Sequence, residues 1–343
     1  WLTPHTTSLL AAIHEAKGRQ SIQTTIRPDI LGTLVAVARI QSTDASNRIE
    51  GISTSDSRLN DLVSEKVTPR NRNEEEIAGY RDALSVIHES HDYIPITPNV
   101  ILQLHRDLFR HTPLTFAGHF KDSDNVIIER DAHGTSTVRF APPSALVTPE
   151  LIERACSAYT QAIRDGHTDP LLAIAMFILD FTCIHPFNDG NGRMSRLLTL
   201  LMLCRNGYMV GKYISIEHLI EQSKSTYYEA LAASTQGWDD NANDYAPFTN
   251  YLLGIILSAC KEFDERINLT AGGAQGAPRV ATKGTRIEAL LDQSLVPLSK
   301  ADILARMPDT STTTIERTLK SLLDSGTIIK IGAGRSTRYV KRR

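Results

Sequence analysis

The chain has 343 residues, of which 41% are hydrophobic and 22% charged, a composition that excludes wholesale disorder and collagen-like structure. Its length predicts two or three domains. The formal net charge of -2 favours no class of partner by itself, but residues 281–343 contain 12 Lys and Arg against 6 Asp and Glu. The C-terminal part is therefore basic and the remainder acidic.

Helical patterns dominate the first 265 residues, where apolar side chains recur at three- and four-residue spacing. The stretch TPNVILQLHRDLFRH follows this pattern after a Thr-Pro start signal, and LLAIAMFILDFTCI at residues 171–184 is apolar almost throughout. The second stretch is shorter than the roughly 18 residues of a membrane span, and Asp180 interrupts it. We therefore expect a buried helix there and no membrane segment.

Residues 124–143, DNVIIERDAHGTSTVRFAPP, break the helical pattern. Two β-type runs flank a polar Asp-Ala-His-Gly segment, as in a hairpin. We expect this hairpin to project from the helices.

The four cysteines lie far apart among apolar helix formers and form no CxxC pair. This usage is typical of reduced core residues in a cytoplasmic protein. The first residues also lack the pattern of a secretory signal, so we expect a cytoplasmic location.

The chain changes character after Arg266, where NLTAGGAQGAPRVATKG has no periodicity and predicts a linker. Three helical patterns then precede two β-type runs around a Gly-Ala-Gly-Arg turn, an order that resembles a winged helix-turn-helix. The predicted organisation is an N-terminal helical region at 1–94, a helical core at 95–266, a linker at 267–280 and a winged-helix domain at 281–343. The basic last domain predicts either a DNA or a protein partner.

The stretch HPFNDGNGRMSR, residues 185–196, contains polar and charged side chains and lies between two apolar helical patterns. Gly190 and Gly192 allow backbone N–H groups to converge at the start of the second helix, whose dipole favours an anion. Arg193 and Arg196 are three residues apart, so they share one face near the positive end of that helix. Two guanidinium groups beside an anion nest predict a ligand with more than one phosphate group.

Asp189 and His185 add a metal ligand and a base to this loop. A bare carboxylate would repel phosphate, and a Mg²⁺ ion that bridges Asp189 and the phosphates removes this conflict. The ordinary pKa of histidine, about 6.5, suits His185 to accept a proton from an incoming hydroxyl group. The motifs GxxxxGK[ST] and HExxH and paired CxxC do not occur in the sequence, which argues against a P-loop nucleotide fold.

The whole stretch matches the signature His-x-Phe-x-(Asp/Glu)-Gly-Asn-Gly-Arg-x-x-Arg, and the chain resembles the Fic (filamentation induced by cAMP) family over about residues 34–254. The resemblance implies a mainly α-helical Fic fold with a β-hairpin flap. It implies a protein adenylyltransferase that moves AMP from ATP to a Ser, Thr or Tyr hydroxyl of a target protein or of itself. His185 would be the base, Phe187 would anchor the loop, and Asp189 would hold Mg²⁺. The phosphates would bind the backbone of Gly190, Asn191 and Gly192, with Arg193 at the β-phosphate and Arg196 at the γ-phosphate.

Further regions extend the resemblance. The hairpin at 124–143 takes the place of the flap that docks the target by strand pairing. STYYEALAAS is similar to the region that lines the adenine pocket, which makes Tyr227 and Tyr228 candidates for adenine contact, with a core role as the alternative. One departure is GHFK, where many relatives have Arg in place of Lys121, so the charge is kept but the bidentate fork is lost.

The stretch SNRIEGI, residues 46–52, resembles the inhibitory motif (Ser/Thr)-x-x-x-Glu-(Gly/Asn) of Fic proteins. Ser46 and Glu50 are four residues apart on one helix face, and Gly51 is suited to end that helix. The resemblance implies that Glu50 pairs with Arg196 and obstructs the γ-phosphate position, so that the enzyme inhibits itself.

Other functions stay open at this point. The same fold could remove AMP from modified targets or transfer another phosphate-containing group. A Fic region joined to a basic winged helix could also be a nucleotide-sensing, DNA-binding regulator. A homodimer is a further partner to consider.

Overall fold

A computed structural model of the chain describes residues 2–26, 28–130, 136–271, 283–292, 298–307, 310–325, 327–331 and 337–341. The chain divides into two compact units. The larger comprises Trp1–Thr54 and Leu59–Asp264, and the smaller comprises Ser55–Arg58 and Glu265–Arg343. The predicted regions 1–94 and 95–266 thus lie largely within one unit.

Residues 4–271 form mainly α-helices. In chain order these are α1 (Pro4–Ile26), α2 (Pro28–Ile49), α3 (Asp56–Val63), α4 (Arg72–Ser90), α5 (Pro98–Leu108), α6 (Thr148–Asp165), α7 (Pro170–Ile184), α8 (Asn191–Arg205), α9 (Val210–Tyr213), α10 (Ile216–Gln222), α11 (Lys224–Thr235) and α12 (Ala246–Ala271). A 3-10 turn, His91–Tyr93, follows α4.

Helices α7 and α8 form the centre of the larger unit. Helix α7 contacts α6, α8 and α11, and α8 also contacts α2, α4 and α9. The side chains of α8 from Arg193 to Cys204 are all buried, because a helix in this position is covered on every face. The sequence prediction of a buried helix at 171–184 is confirmed. This central pair carries the polar loop at its connection.

A two-stranded antiparallel sheet interrupts the helices between α5 and α6. Strand β1 (Ile127–Arg130) pairs with β2 (Ser136–Phe140), with Ile128 opposite Val138 and a register shift between Ile127 and Ile128. The predicted hairpin is therefore present, and its residues 131–135 lie outside the described part of the chain.

The smaller unit contains α13 (Lys283–Asp292), α14 (Lys300–Arg306) and α15 (Thr312–Asp324), followed by the antiparallel strands β3 (Ile328–Ile331) and β4 (Arg338–Lys341). They pack around buried side chains that include Ile287, Ile303, Ile315, Leu319 and Tyr339. The elements follow the order predicted for 281–343. Helix α12 ends at Ala271, inside the predicted linker, and residues 272–280 and 332–336 lie outside the described residues.

Cys156, Cys183, Cys204 and Cys260 are free and buried, which agrees with the prediction of reduced core residues. None of the helices in the described ranges has both the length and the apolar character needed to cross a membrane.

Candidate active site

The loop that joins α7 to α8 is fixed by its backbone angles and by one asparagine. His185 ends α7 with φ 49° and ψ 62°, and Gly190 has φ 83° just before α8. A Cβ atom on Gly190 would lie 2.8 Å from the ring of Phe109, so this position requires glycine. Asn191 closes the loop, because its Oδ1 accepts from the N–H of Phe187 at 2.9 Å and its Nδ2 donates to the Phe187 carbonyl at 2.7 Å.

Phe187 anchors this loop in the core. Its ring is fully buried and stacks on His105 of α5, with the centroids 3.7 Å apart. Burial lowers the pKa of His105 to about 4, so the ring is neutral. Its Nε2 donates to the carbonyl of Asp189 at 3.0 Å, while its Nδ1 accepts from the N–H of Gly118 at 2.9 Å. One neutral tautomer of His105 therefore supports both the aromatic anchor and the loop backbone.

His185 has the protonation state that a general base needs. Its Nδ1 lies 3.4 Å from the carbonyl of Thr182, so the ring proton belongs on Nδ1 and Nε2 is left as the acceptor. Burial, with a smaller contribution from the Lys121 ammonium, lowers the pKa of His185 to about 4. The Thr182 carbonyl and the Glu50 carboxylate act in the opposite direction and raise it. The imidazole is therefore neutral at pH 7.

Arg193 is held by an ion pair inside the protein. Its side chain is 1% exposed, and its Nη1 donates to Oε2 of Glu76 on α4 at 2.7 Å. Glu76 also accepts from Nε of Arg72 at 2.8 Å. Among the described residues, Nε of Arg193 has no hydrogen-bond partner. A buried donor of this kind is rare unless a ligand or water satisfies it, so Nε of Arg193 is chemically suited to bind an anion.

Arg196 links α8 to α2 by hydrogen bonds. Its Nε donates to Oγ of Ser46 at 2.8 Å, and its Nη2 donates to the Ser46 carbonyl at 2.9 Å and to Oε1 of Glu50 at 2.7 Å. Gly51, with φ 80°, follows directly after Glu50, and the N–H of Ile52 turns back to the carbonyl of Asn47 at 3.0 Å. The structure therefore brings Ser46, Glu50 and Gly51 together as the spacing predicted.

The two charges of this pair stabilise each other. Burial alone would raise the pKa of Glu50, but the guanidinium of Arg196 holds it below its ordinary value. Burial alone would lower the pKa of Arg196, but the Glu50 carboxylate raises it overall. Both side chains are therefore charged at neutral pH.

The carboxylate of Glu50 also lies against the start of α8. A Cβ atom on Gly192 would overlap this carboxylate. Gly192 is the second residue of α8, within the turn whose N–H groups have no partner inside the helix. The position that the sequence predicts for a bound phosphate thus lies beside an anion of the chain itself.

Asp189 has a partly exposed carboxylate at the edge of the site. Its side chain is 44% exposed, Oδ1 accepts from the N–H of Gly190 at 2.6 Å, and Oδ2 lies 3.7 Å from Nη2 of Arg72. Within the described residues no group of three or more His, Cys, Asp or Glu could hold a metal ion. A single carboxylate nevertheless fits Mg²⁺, which commonly binds one or two protein carboxylates together with substrate phosphates and water.

The two tyrosines predicted for adenine contact lie in different environments. Tyr227 is buried, and its ring packs against Tyr228, Phe248 and Tyr251 at centroid distances of 5.2 to 6.4 Å. Tyr228 is half-buried, and Nζ of Lys224 lies 6.0 Å from the centre of its ring. The surroundings of Tyr227 therefore fit a core role, whereas Tyr228 is less buried.

Several residues of the site were missed in the sequence analysis: Arg72, Glu76, His105 and Lys224. Glu76 left one detectable signal, because it lies one turn before Tyr80 and so continues the buried face of α4. A glutamate in line with apolar positions requires a charged partner. The other residues left no comparable pattern.

Comparison with known proteins gives matching results for sequence and fold. The Fic/DOC family matches residues 95–203. A Fido domain-containing protein of Dictyostelium discoideum is 37% identical over 141 residues, which are 40% of this chain and 86% of that protein. A protein adenylyltransferase of Caenorhabditis elegans is 25% identical over 233 residues, which are 64% of this chain. The chain spans only 40% of the length of that second relative.

Solved structures show the same fold. A Fic family protein from Desulfovibrio desulfuricans G20 superimposes with a TM-score of 0.63 and 22% identity, covering 100% of this chain and 97% of that one. A Fic domain containing signaling protein from Bacteroides thetaiotaomicron also gives a TM-score of 0.63 with 22% identity, covering 78% of this chain and 100% of that one. The predicted mainly α-helical Fic fold is confirmed. On this sequence and structural similarity, the chain belongs to the Fic/DOC family.

Proposed function

We propose that the chain is a protein adenylyltransferase, which transfers AMP from ATP to a Ser, Thr or Tyr hydroxyl of a target protein or of itself. The observation that carries this proposal is the arrangement of a neutral, half-buried His185 at the end of α7 and two buried arginines, Arg193 and Arg196, at the start of α8. The names of relatives from Caenorhabditis elegans and Nematostella vectensis, both called protein adenylyltransferases, support the same reaction.

In the proposed reaction, the start of α8 binds the triphosphate. The N–H groups of Gly190, Asn191 and Gly192 and the guanidinium of Arg193 neutralise the phosphates, and Arg196 takes the γ-phosphate. Mg²⁺ on Asp189 would supply further positive charge to the phosphates.

His185 then acts on the target hydroxyl. Its Nε2 accepts the hydroxyl proton while the hydroxyl oxygen forms a bond to the α-phosphorus. The bond from the α-phosphorus to the oxygen that bridges to the β-phosphorus breaks, and pyrophosphate leaves. The target would dock along the flap at 124–143, whose two strands offer edges for a third strand.

We further propose that Ser46, Glu50 and Gly51 inhibit the enzyme from within the chain. The Glu50 carboxylate bonds Arg196 at 2.7 Å and lies against Gly192, where the distal phosphate would bind. Two anions cannot share this position, because each would have to give up the charge-assisted bond that the other forms. ATP therefore binds productively only when Glu50 leaves Arg196.

The test is transfer of label from α-labelled ATP, with Mg²⁺, to the protein itself and to proteins of a cell lysate. We expect weak labelling by the wild type, strong labelling by Glu50→Gly and none by the Glu50→Gly/His185→Ala double variant. Glu150→Gly is a matched control, since Glu150 is an exposed residue of α6 far along the chain from the loop. Parallel reactions with γ-labelled ATP separate AMP transfer from phosphate transfer.

If Glu50→Gly binds ATP but labels nothing, the proposed reaction is wrong and a nucleotide-sensing regulator becomes the better account. Label that Glu50→Gly acquires and the wild type then releases as AMP would instead support removal of AMP as a second reaction.

For the smaller unit we propose a protein partner. Lys300 pairs with Glu316 at 2.8 Å and Arg338 with Asp302 at 3.3 Å, so these cations are already neutralised by carboxylates. DNA binding depends on cations that remain available to phosphates, and it weakens steeply with salt. Binding of the full chain to a labelled DNA duplex, with a steep loss between low and physiological salt, would contradict this proposal.

A further inference from the structure

The segment that leads into β1 of the flap is bonded to the backbone of the catalytic loop. The N–H of Lys121 donates to the carbonyl of Pro186 at 2.8 Å, and its Nζ donates to the carbonyl of Ile184 at 3.2 Å. Nδ2 of Asn125 donates to the carbonyl of Phe187 at 3.3 Å. The backbone on both sides of the catalytic histidine is therefore held from this one segment.

Lys121 is an unusual residue for the place that it occupies. It is 3% exposed, and its ammonium donates to Oδ1 of Asn125 at 3.0 Å as well as to the carbonyl of Ile184. Ile184 is the last residue of α7, so its carbonyl has no partner within the helix and attracts a cation. A buried ammonium nevertheless costs free energy that an apolar side chain would not. Packing alone therefore does not account for a lysine here.

The same segment connects the loop to both ends of the flap. Oδ1 of Asp122 accepts from Nδ2 of Asn188 in the loop at 3.2 Å. Oδ1 of Asp124, just before β1, accepts from the N–H of Ala145, just after β2, at 2.8 Å. The base of the flap and the loop are thus linked by hydrogen bonds through this one segment.

We propose that Lys121 and Asn125 are positioning residues, which hold His185 in the geometry for proton transfer and couple it to the flap where the target docks. This inference rests on the proposed AMP transfer. We place the effect of Lys121 on His185 because one of its side-chain bonds is made to the carbonyl of Ile184, directly before His185, and the other to Asn125. The charged groups that face His185 are Lys121 from this segment and Glu50 from the end of α2.

The kinetic test uses Lys121→Met, Lys121→Arg and Asn125→Leu in the Glu50→Gly background, with Lys261→Met at an exposed position of α12 as the matched control. We expect Lys121→Met to lower kcat about tenfold while KM for ATP changes less than about twofold, because the triphosphate site is untouched. Lys121→Arg retains the cation and should restore most of kcat. The Lys121→Met/Asn125→Leu double variant should be little slower than Lys121→Met, because the two side chains act as one unit.

A second readout does not depend on AMP transfer. An NMR titration of the His185 ring follows its pKa, which burial and the nearby Lys121 ammonium lower to about 4. Removing the cation in Lys121→Met should raise this pKa and move the acid limb of the pH–rate profile to higher pH, whereas Lys261→Met should leave both unchanged.

Failure of the proposed function and failure of this inference therefore give different results. If the Glu50→Gly parent transfers no AMP, the proposed function fails, and the titration still decides the role of Lys121. An unchanged His185 pKa, or a loss of kcat matched by an equal loss of ATP affinity, overturns the inference. If Lys121→Met does not fold, a kcat of Asn125→Leu equal to that of the Glu50→Gly parent also overturns the inference.

Discussion

Replacing Glu76 by Gln is expected to destabilise the larger unit, because it removes the charge that neutralises a buried guanidinium. Arg193 and Glu76 are 1% and 3% exposed, and their side chains meet at 2.7 Å. Removing one partner of such a pair costs about 3–5 kcal/mol. Because the Gln amide still accepts a hydrogen bond, we expect about 3 kcal/mol, a roughly 150-fold fall in the folding equilibrium constant.

The assay is urea unfolding followed by tryptophan fluorescence. Trp238 lies in the larger unit, where its Nε1 donates to Oδ1 of Asp180 at 2.8 Å, so its fluorescence follows the unfolding of that unit. Glu75→Gln is the control on the same helix and should change the free energy of unfolding by less than about 0.5 kcal/mol. The reasoning fails if the free energy of unfolding of Glu76→Gln lies within about 1 kcal/mol of that of this control. It also fails if Arg193→Met lowers the free energy of unfolding as much in the Glu76→Gln variant as in the wild type.

Gly190→Ala should lower the melting temperature, because the left-handed backbone and the Phe109 ring oppose a side chain at this position. Gly192→Ala should fold normally, but calorimetry should show a weaker affinity for ATP. Glu50→Gln removes the charge from its bond with Arg196, worth about 1.5–3 kcal/mol, so initial AMP transfer should rise about 10- to 150-fold. An unchanged rate would refute this. In Glu50→Gly, kcat/KM should stay flat from about pH 8 down to about 5 and fall only at about pH 4 or below. His185, with its lowered pKa, is neutral above that value, and the variant lacks the Glu50 carboxylate that raises this pKa. An acid limb near the ordinary pKa of about 6.5 would contradict the assignment.

The local structure of the loop at 185–196 could be predicted from the sequence because the residues of its motif are contiguous. His185, Asp189, the glycines and both arginines lie within one loop and the first turns of one helix, where local backbone rules relate spacing to geometry. Glu76 could not be assigned in the same way, because it meets Arg193 across 117 residues. A single sequence shows that a glutamate interrupts an apolar face but does not show which cation neutralises it.

Helix existence was also easier to predict than helix ends. The prediction of a linker from residue 267 relied on the Gly- and Ala-rich composition that follows. Helix α12 nevertheless continues to Ala271, and Cys260, Phe263 and Ile267 maintain its buried face at helical spacing. Composition alone suggested that the helix ends at residue 266. The apolar periodicity continues past this residue and predicts the helical residues on both sides of it.

The contacts of Arg196 show how the proposed inhibition can be released without moving α2. Two of its bonds go to Ser46, one to the hydroxyl and one to the backbone carbonyl, and neither competes with a phosphate. Glu50 lies beyond Ile49, the last residue of α2, and reaches Arg196 by its side chain alone. When a phosphate displaces this carboxylate, Ser46 still holds the guanidinium in place, because both of its bonds remain. In the proposed inhibition, one anion is therefore exchanged for another on a fixed arginine, and the cost is set by the single bond that Glu50 gives up.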